Sequence, residues 1–131
     1  MTDKKKILAI DDDASVCELY QQGLPLLGGF DVQCAMSAAK AKDALKGPLP
    51  DLILMDIMMP DQDGISLTRE LRADARTSHI PIIVVSGLAD AGTLNDALLF
   101  GAVDYVVKPI DLDALQGKIE RTLAAVTKRQ K

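Results

Sequence analysis

A three-layer α/β fold around a parallel sheet is the architecture this sequence predicts, and three observations predict it. Short apolar runs recur at residues 7–10, 30–35, 52–55, 82–85 and 103–107. Each is followed by a stretch whose apolar residues keep helical spacing, so strand and helix alternate along the whole chain. The runs are mostly continuous rather than alternating in polarity, as strands covered on both faces require. Strands connected through helices lie parallel, with right-handed crossovers.

The elements follow in order. Ile7-Leu8-Ala9-Ile10 makes the first strand and runs into Asp11-Asp12-Asp13. The helical stretch Ala14 to Leu27 comes next. Pro25 should end or kink it early, because proline lacks the N–H a helix needs and crowds the preceding turn. Gly28-Gly29 marks a loop before the second strand, Phe30 to Ala35. Ser37 is the N-cap of a helical stretch that reaches Lys46. After Gly47-Pro48, Leu52 to Met55 forms the third strand and delivers Asp56, followed by Ile57-Met58-Met59-Pro60. Asp61 and Asp63 shape that loop and start the third helix, Ile65 to Ala73, which sets Leu67 and Leu71 on one face. Ile82 to Val85 leads to Ser86, and Asp90 to Phe100 carries Leu94, Ala97 and Leu98 at helical spacing. The fifth strand, Val103 to Val107, ends at Lys108-Pro109. Asp111 then caps the last helix, whose stripe Leu112, Leu115, Ile119, Leu123 and Val126 keeps a 3.6-residue period.

Bulk properties narrow the function classes. A chain of 131 residues has the size of one domain and can bury roughly two-thirds of its unfolded surface. Aromatics are only 3 % of the residues, so the core must be aliphatic. A net charge of -4 argues against an extended phosphate-backbone footprint for nucleic acid. No apolar run approaches membrane-spanning length, and the polar lead Thr2 to Lys6 does not resemble a signal peptide, so a cytoplasmic location is expected. Cys17 and Cys34 show neither metal-ligand nor redox spacing; both are read as small buried hydrophobes, with no disulfide between them.

Charge at the strand ends is the chemical signal. In open α/β sheets ligands bind outside the carboxyl ends of the strands. Asp11, Asp12, Asp56, Ser86 and Lys108 all fall at such ends. Carboxylates packed together raise one another's pKa unless a cation compensates. Mg²⁺ suits such a set, because it takes hard oxygen ligands and keeps room for waters and a phosphate oxygen. With Lys108 as a second cation, the pocket could hold a phosphoryl group in transfer, and a carboxylate such as Asp56 could be the nucleophile. The bland alternative is a structural ion cluster, which would stabilise the fold poorly.

At this point a family enters. Ile7 to Asp12, Met55 to Pro60, Asp63-Gly64, Val85-Ser86-Gly87 and Gly101 to Pro109, in this order and spacing, resemble the receiver domain of two-component response regulators. The resemblance covers roughly residues 5–126, so 1–131 is read as one receiver domain with a short basic tail. It implies a flavodoxin-like (βα)5 fold with strand order 2-1-3-4-5. It implies that Asp56 is the phosphoacceptor for a sensor histidine kinase or phosphotransfer protein. Asp11, Asp12 and Asp56, with the backbone carbonyl of Met58, would be the Mg²⁺ ligands. Ser86 would be the switch hydroxyl, Lys108 the partner of the acyl phosphate and Tyr105 the switch aromatic. The bond before Pro109 would be cis. A homodimer through the face of the fourth helix, fifth strand and fifth helix is one arrangement the family uses. The resemblance implies an effector downstream of the switch, with the chain either a stand-alone receiver or part of a larger regulator or hybrid kinase.

Departures from the family pattern carry expectations of their own. Ser86 stands where threonine is commoner, keeping the hydroxyl and losing the methyl. Met58 and Leu88 flank the path of the hydrolytic water with apolar side chains, which predicts slow self-dephosphorylation. Ile110 replaces the usual phenylalanine as a neutral packing change. Asp13 is read as a helix cap rather than a ligand, Asp51 and Asp104 as solvated, His79 as a surface residue and Met55 as core filler. Two rival readings stand beside the switch. One is a non-phosphorylated interaction module of the same fold. The other is a small Mg²⁺-dependent phosphohydrolase with an aspartyl nucleophile, which would need a second acid and a substrate cap.

Overall fold

The computed structural model describes residues 4–87 and 91–129. Strands β1 (Lys6–Ile10), β2 (Asp31–Ala35), β3 (Leu52–Met55), β4 (Ile82–Ser86) and β5 (Asp104–Val107) form one parallel sheet in the order β2-β1-β3-β4-β5. Between and after them run α1 (Ala14–Gly28), α2 (Ala38–Ala44), α3 (Gly64–Ala73), α4 (Ala91–Leu99) and α5 (Leu112–Arg129). The fold class expected from the sequence and the strand order implied by the resemblance are both observed.

Strand alternation builds two cores from one sheet. Leu8, Ile10, Ile53, Met55, Ile82 and Val84 point to the face covered by α2, α3 and α4, where they meet Ala41, Leu67, Leu71 and Ala97. Ile7, Ala9, Leu52, Leu54, Ile83 and Val85 point to the opposite face and meet Tyr20 and Leu24 of α1 and Leu115 and Ile119 of α5. The three central strands are thus buried on both sides, which is why their sequences read as unbroken apolar runs. Among the described residues no helix is long and apolar enough to cross a membrane.

Helix starts obey local capping rules. Asp13, Ser37 and Asp63 accept backbone N–H bonds from Ser15, Lys40 and Ser66. Asp111 accepts from Asp113 and Ala114 at the start of α5. The peptide bond Lys108-Pro109 is cis.

Several expectations need correction. Pro25 does not end α1, which continues to Gly28; Gly29, in left-handed conformation at φ 68°, terminates it and donates to the Pro25 carbonyl. The carbonyl of Gln21, deprived of its partner by the proline, belongs to an exposed residue that water can reach. Cys17 and Cys34 are joined in a disulfide, with Cα atoms 5.9 Å apart. The register that sets Cys34 beside Ala9 brings it under α1, a proximity that a separation of 17 residues in sequence does not reveal. Asp61 reaches back to α2, accepting the amides of Ala38 and Ala39 at 3.1 and 2.9 Å. Those two amides hold its carboxyl below the ordinary range. Asp51 and Asp104 are engaged rather than merely solvated: Asp51 accepts the Lys6 amide, and Asp104 pairs with Lys118 at 3.0 Å. Asp90 and Leu88, like Lys131, lie outside the described residues.

Candidate functional site

The sheet ladder carries the acids to one end of the molecule. The Asp11 amide donates to the Ala35 carbonyl at 3.0 Å, one rung beyond β1. The Asp56 amide donates to the Ile10 carbonyl at 2.9 Å, one rung beyond β3. Because β1 and β3 are neighbours in register, these two side chains leave adjacent strand ends. One ligand atom each from Asp11, Asp12 and Asp56 can be chosen so that all lie within 4.8 Å of one another. Asp11 and Asp56 are buried, whereas Asp12 is exposed.

Lys108 arrives from β5. Its amide donates to the Ser86 carbonyl at 2.9 Å, fixing the start of its side chain beside the end of β4. Its ammonium then reaches Asp11 Oδ2 at 2.9 Å and Asp56 Oδ2 at 3.5 Å. Burial alone would depress the lysine pKa, but the hydrogen bond to Asp11 and the two carboxylate charges outweigh it and raise the value. For Asp56 the balance goes the other way. Burial first, and the negative charge of Asp11 second, push its carboxyl up to about 6 against the pull of Lys108. One ammonium therefore does not fully compensate the acids.

Gly64 makes room for this geometry. Its amide donates to the Ile57 carbonyl at 2.7 Å, and a Cβ at this position would run into the backbone carbonyl of Asp56. Thr68, fully buried on α3, donates to the Gly64 carbonyl at 2.7 Å and locks the helix start under the loop. The Asp63-Gly64 pair is thus a cap followed by an obligatory close approach.

The structure does not treat all the singled-out residues alike. Asp11, Asp12, Asp56 and Lys108 come together. Ser86 is buried at the end of β4, adjacent to β3 in the sheet. Tyr105 stands opposite Val84, two positions before the end of β5, and packs half-buried against the core beneath α2, α3 and α4. The Met58 side chain is exposed in the loop after β3, while Met55 is buried in the core and Met59 packs partly against it. Asp13 caps α1: its Oδ1 accepts the Ser15 hydroxyl at 2.6 Å and amide at 2.9 Å, which lowers its pKa. His79 is exposed, as expected.

Of two features near the site, one went unread in the sequence and the other was read the opposite way. Tyr20 is buried, and its hydroxyl has no hydrogen-bond partner among the described residues. Burial, with the charges of Asp11 and then Asp56, pushes its phenol far above the ordinary range. A tyrosine within an apolar helical stripe was the available signal. The second feature is the Cys17–Cys34 bridge, for which no local signal exists.

Chemically, the donor set is all oxygen, of the hard kind that suits Mg²⁺ better than zinc or copper. The residual negative charge left by a single lysine fits a divalent cation at the same place. An ammonium, a cation and a buried carboxylate around one point can hold an incoming phosphoryl group and offer it a nucleophile.

Known proteins resemble this chain over most of its length. A family model described as response regulator receiver domain matches residues 7–120. The chain is 37 % identical over 125 residues to the probable transcriptional regulator ycf27 of Porphyridium aerugineum, covering 95 % of this chain and 50 % of that protein. It is 38 % identical over 123 residues to the regulatory protein AtoC of Escherichia coli strain K12, covering 94 % and 26 %. The chain therefore spans between about a quarter and a half of these curated relatives. Among solved structures, a response regulator receiver domain protein (CheY-like) from Methanospirillum hungatei JF-1 superposes with a TM-score of 0.89 at 28 % identity, over 97 % of this chain and 99 % of that one. A sensor protein from Polaromonas sp. JS666 gives 0.86 at 33 % identity, over 95 % and 99 %.

Proposed function

The chain belongs to the response regulator receiver domains of two-component systems, and from that membership we propose that it is a phosphorylatable signalling switch with Asp56 as the phosphoacceptor. The observation that carries the reading is the convergence of the Asp11, Asp12 and Asp56 carboxylates with one ammonium, Lys108, bridging two of them.

In this reading a carboxylate oxygen of Asp56 attacks the phosphorus of a phosphohistidine on a sensor kinase or phosphotransfer protein. The P–N bond breaks, the imidazole leaves with its electron pair and takes up a proton, and Asp56 becomes an acyl phosphate. Asp11, Asp12, Asp56 and the Met58 carbonyl would hold Mg²⁺, which when bound would supply neutralising charge for the phosphoryl oxygens. Lys108 exchanges its longer contact with Asp56 for a phosphoryl oxygen and keeps its shorter one with Asp11. The Ser86 hydroxyl donates to another phosphoryl oxygen. Tyr105 follows that movement, and the face formed by α4, β5 and α5 changes shape for an effector or a second copy of the chain. Phosphorylation thus acts as a local charge change biasing a two-state element. The domain is one receiver unit, works in the cytoplasm, touches neither nucleic acid nor membrane itself, and turns over no metabolite.

Acetyl phosphate with Mg²⁺, read by intact mass, tests the proposal. One phosphoryl adduct is expected on the wild-type chain and none on Asp56→Ala or in excess EDTA. Absence of the adduct in wild type, or its persistence in Asp56→Ala, would overturn it. Turnover of generic phosphate esters would instead support a phosphohydrolase.

A further inference from the structure

The disulfide brackets the loop that carries Asp11 and Asp12. Cys17 lies in the first turn of α1, and its amide donates to the carbonyl of the cap residue Asp13 at 3.1 Å. Its Sγ is 3.4 Å from the Asp11 carbonyl oxygen. Cys34 lies on β2 directly before Ala35, whose carbonyl accepts the Asp11 amide at 3.0 Å. The bridge therefore joins the two segments that hold this one residue: Cys17 Sγ lies beside its carbonyl, and Cys34 precedes the residue whose carbonyl accepts its amide. That residue is the most buried acid of the cluster, 1 % exposed, and the one nearest Lys108.

We infer that Cys17 and Cys34 are a thiol–disulfide exchange site whose oxidation state sets the backbone geometry of the Asp11–Asp13 loop, with a low-molecular thiol or a dithiol protein as the exchange partner. The two cysteines differ in access. Cys17 is 5 % exposed, whereas Cys34 is partly exposed near the sheet edge, so an incoming thiolate attacks Cys34 Sγ. The bond between the two sulfurs breaks, and Cys17 leaves as a thiolate and takes up a proton. A second external thiolate attacks the partner sulfur of the mixed disulfide and releases Cys34, which is protonated in turn. Two electrons and two protons pass from the external thiols to the pair, and the external thiols end as a disulfide.

The consequence at the acid loop follows from hydrogen-bonding capacity. A disulfide sulfur has no proton to give. Once reduced, Cys17 gains an S–H, with the Asp11 carbonyl already in reach as its acceptor. Reduction thus replaces a covalent tie between α1 and β2 by a hydrogen bond to the peptide between Asp11 and Asp12. Any tilt of that peptide moves the two carboxylates relative to Asp56. In a reducing compartment such pairs are characteristically transient and sensing rather than structural.

The test compares two redox forms of the full chain, one treated with oxidised glutathione and one with dithiothreitol. Alkylation followed by intact mass should count no free thiol in the first form and both in the second, reversibly, with any trapped mixed disulfide on Cys34. Backbone amide shifts should differ between the forms at Asp11, Asp12 and Asp13, and the difference should vanish in Cys34→Ser. Resting on the functional reading above, Mg²⁺ affinity should differ by roughly tenfold, the low end for groups that orient a metal's ligands. Thiols that remain alkylatable after the oxidant, or identical shifts at Asp11–Asp13 in both forms, would overturn the inference. A chain that binds Mg²⁺ in neither form would count against the metal site alone and leave the amide shifts to decide this one.

Discussion

At the scale of single residues, the site is defined by what its acids lack. Burial and the Asp11 charge push the Asp56 carboxyl up to about 6, whereas in the unfolded chain it titrates near 4. The folded chain therefore holds that proton to higher pH than the unfolded chain does. Stability from this group is present below about pH 4 and is lost as pH rises to about 6. Asp56→Asn keeps the shape and removes the charge, so in EDTA at pH 7 it should be more stable than wild type by about 1–2 kcal/mol, converging with it near pH 4. Urea titrations across that range measure the difference; equal stability at pH 7 would show that Lys108 alone balances the acids. Tyr20 makes a second residue-scale case. Its buried hydroxyl has no partner among the described residues, so Tyr20→Phe should leave stability unchanged or raise it by up to about 1 kcal/mol. A loss of that size would reveal an acceptor for the hydroxyl. Met58, exposed and apolar in the loop after Asp56, cannot orient a water. Met58→Asn should shorten the acyl-phosphate lifetime several-fold, followed as decay of the phosphorylated mass after the phosphodonor is removed.

Elements hold these residues through contacts of two kinds, local and distant, and the difference explains what could be read in advance. Strand positions were legible to within about a residue: the three central strands because a run buried on both faces has nowhere else to sit, and the two edge strands because glycines, prolines and helical stretches bound their apolar runs. Caps at Ser37, Asp63 and Asp111 were legible because a cap and its target lie within one turn. The acid cluster was legible because parallel strands must all end on one side of the sheet. What escaped were contacts between segments far apart in sequence. Asp61 caps α2 from 22 and 23 residues downstream, and Cys34 meets Cys17 only through the β1–β2 register. Pro25 does not stop α1, because it falls in the last turn, where the carbonyl it deprives belongs to the exposed Gln21. The most consequential element contact is between the start of α3 and the loop after β3. Gly64→Ala would press a methyl into the Asp56 carbonyl. It should lower stability by about 1–3 kcal/mol, seen in thermal unfolding, and should slow phosphorylation by acetyl phosphate. A variant as stable and as readily phosphorylated as wild type would show that this approach is not obligatory.

At the scale of the whole molecule, two apolar cores clamp a sheet whose one charged end is left short of positive charge. Such a molecule stores an imbalance that a cation relieves only in the folded state, since the three acids converge only there. Binding confined to the folded chain stabilises by RT ln(1 + [L]/Kd), about 2.7 kcal/mol at a hundredfold excess over Kd. For a domain of this size that is an upward shift in Tm on the order of 10 °C. Protons compete with the metal for the same oxygens, so the sign of the pH dependence is set. With Asp56 holding its proton up to about pH 6, Mg²⁺ should raise Tm little at pH 5 and fully at pH 7.5. Without Mg²⁺, the Asp56 contribution alone should make the chain less stable at the higher pH. In Asp56→Asn both the size of the Mg²⁺ shift and its pH dependence should shrink, because one ligand and its titration are removed together. Scanning calorimetry of the two chains, with and without Mg²⁺ at both pH values, measures all of these shifts. A Tm insensitive to Mg²⁺, or a Mg²⁺ shift equal at both pH values, would mean that the cluster is balanced within the protein and that the charged end is a structural feature of the fold.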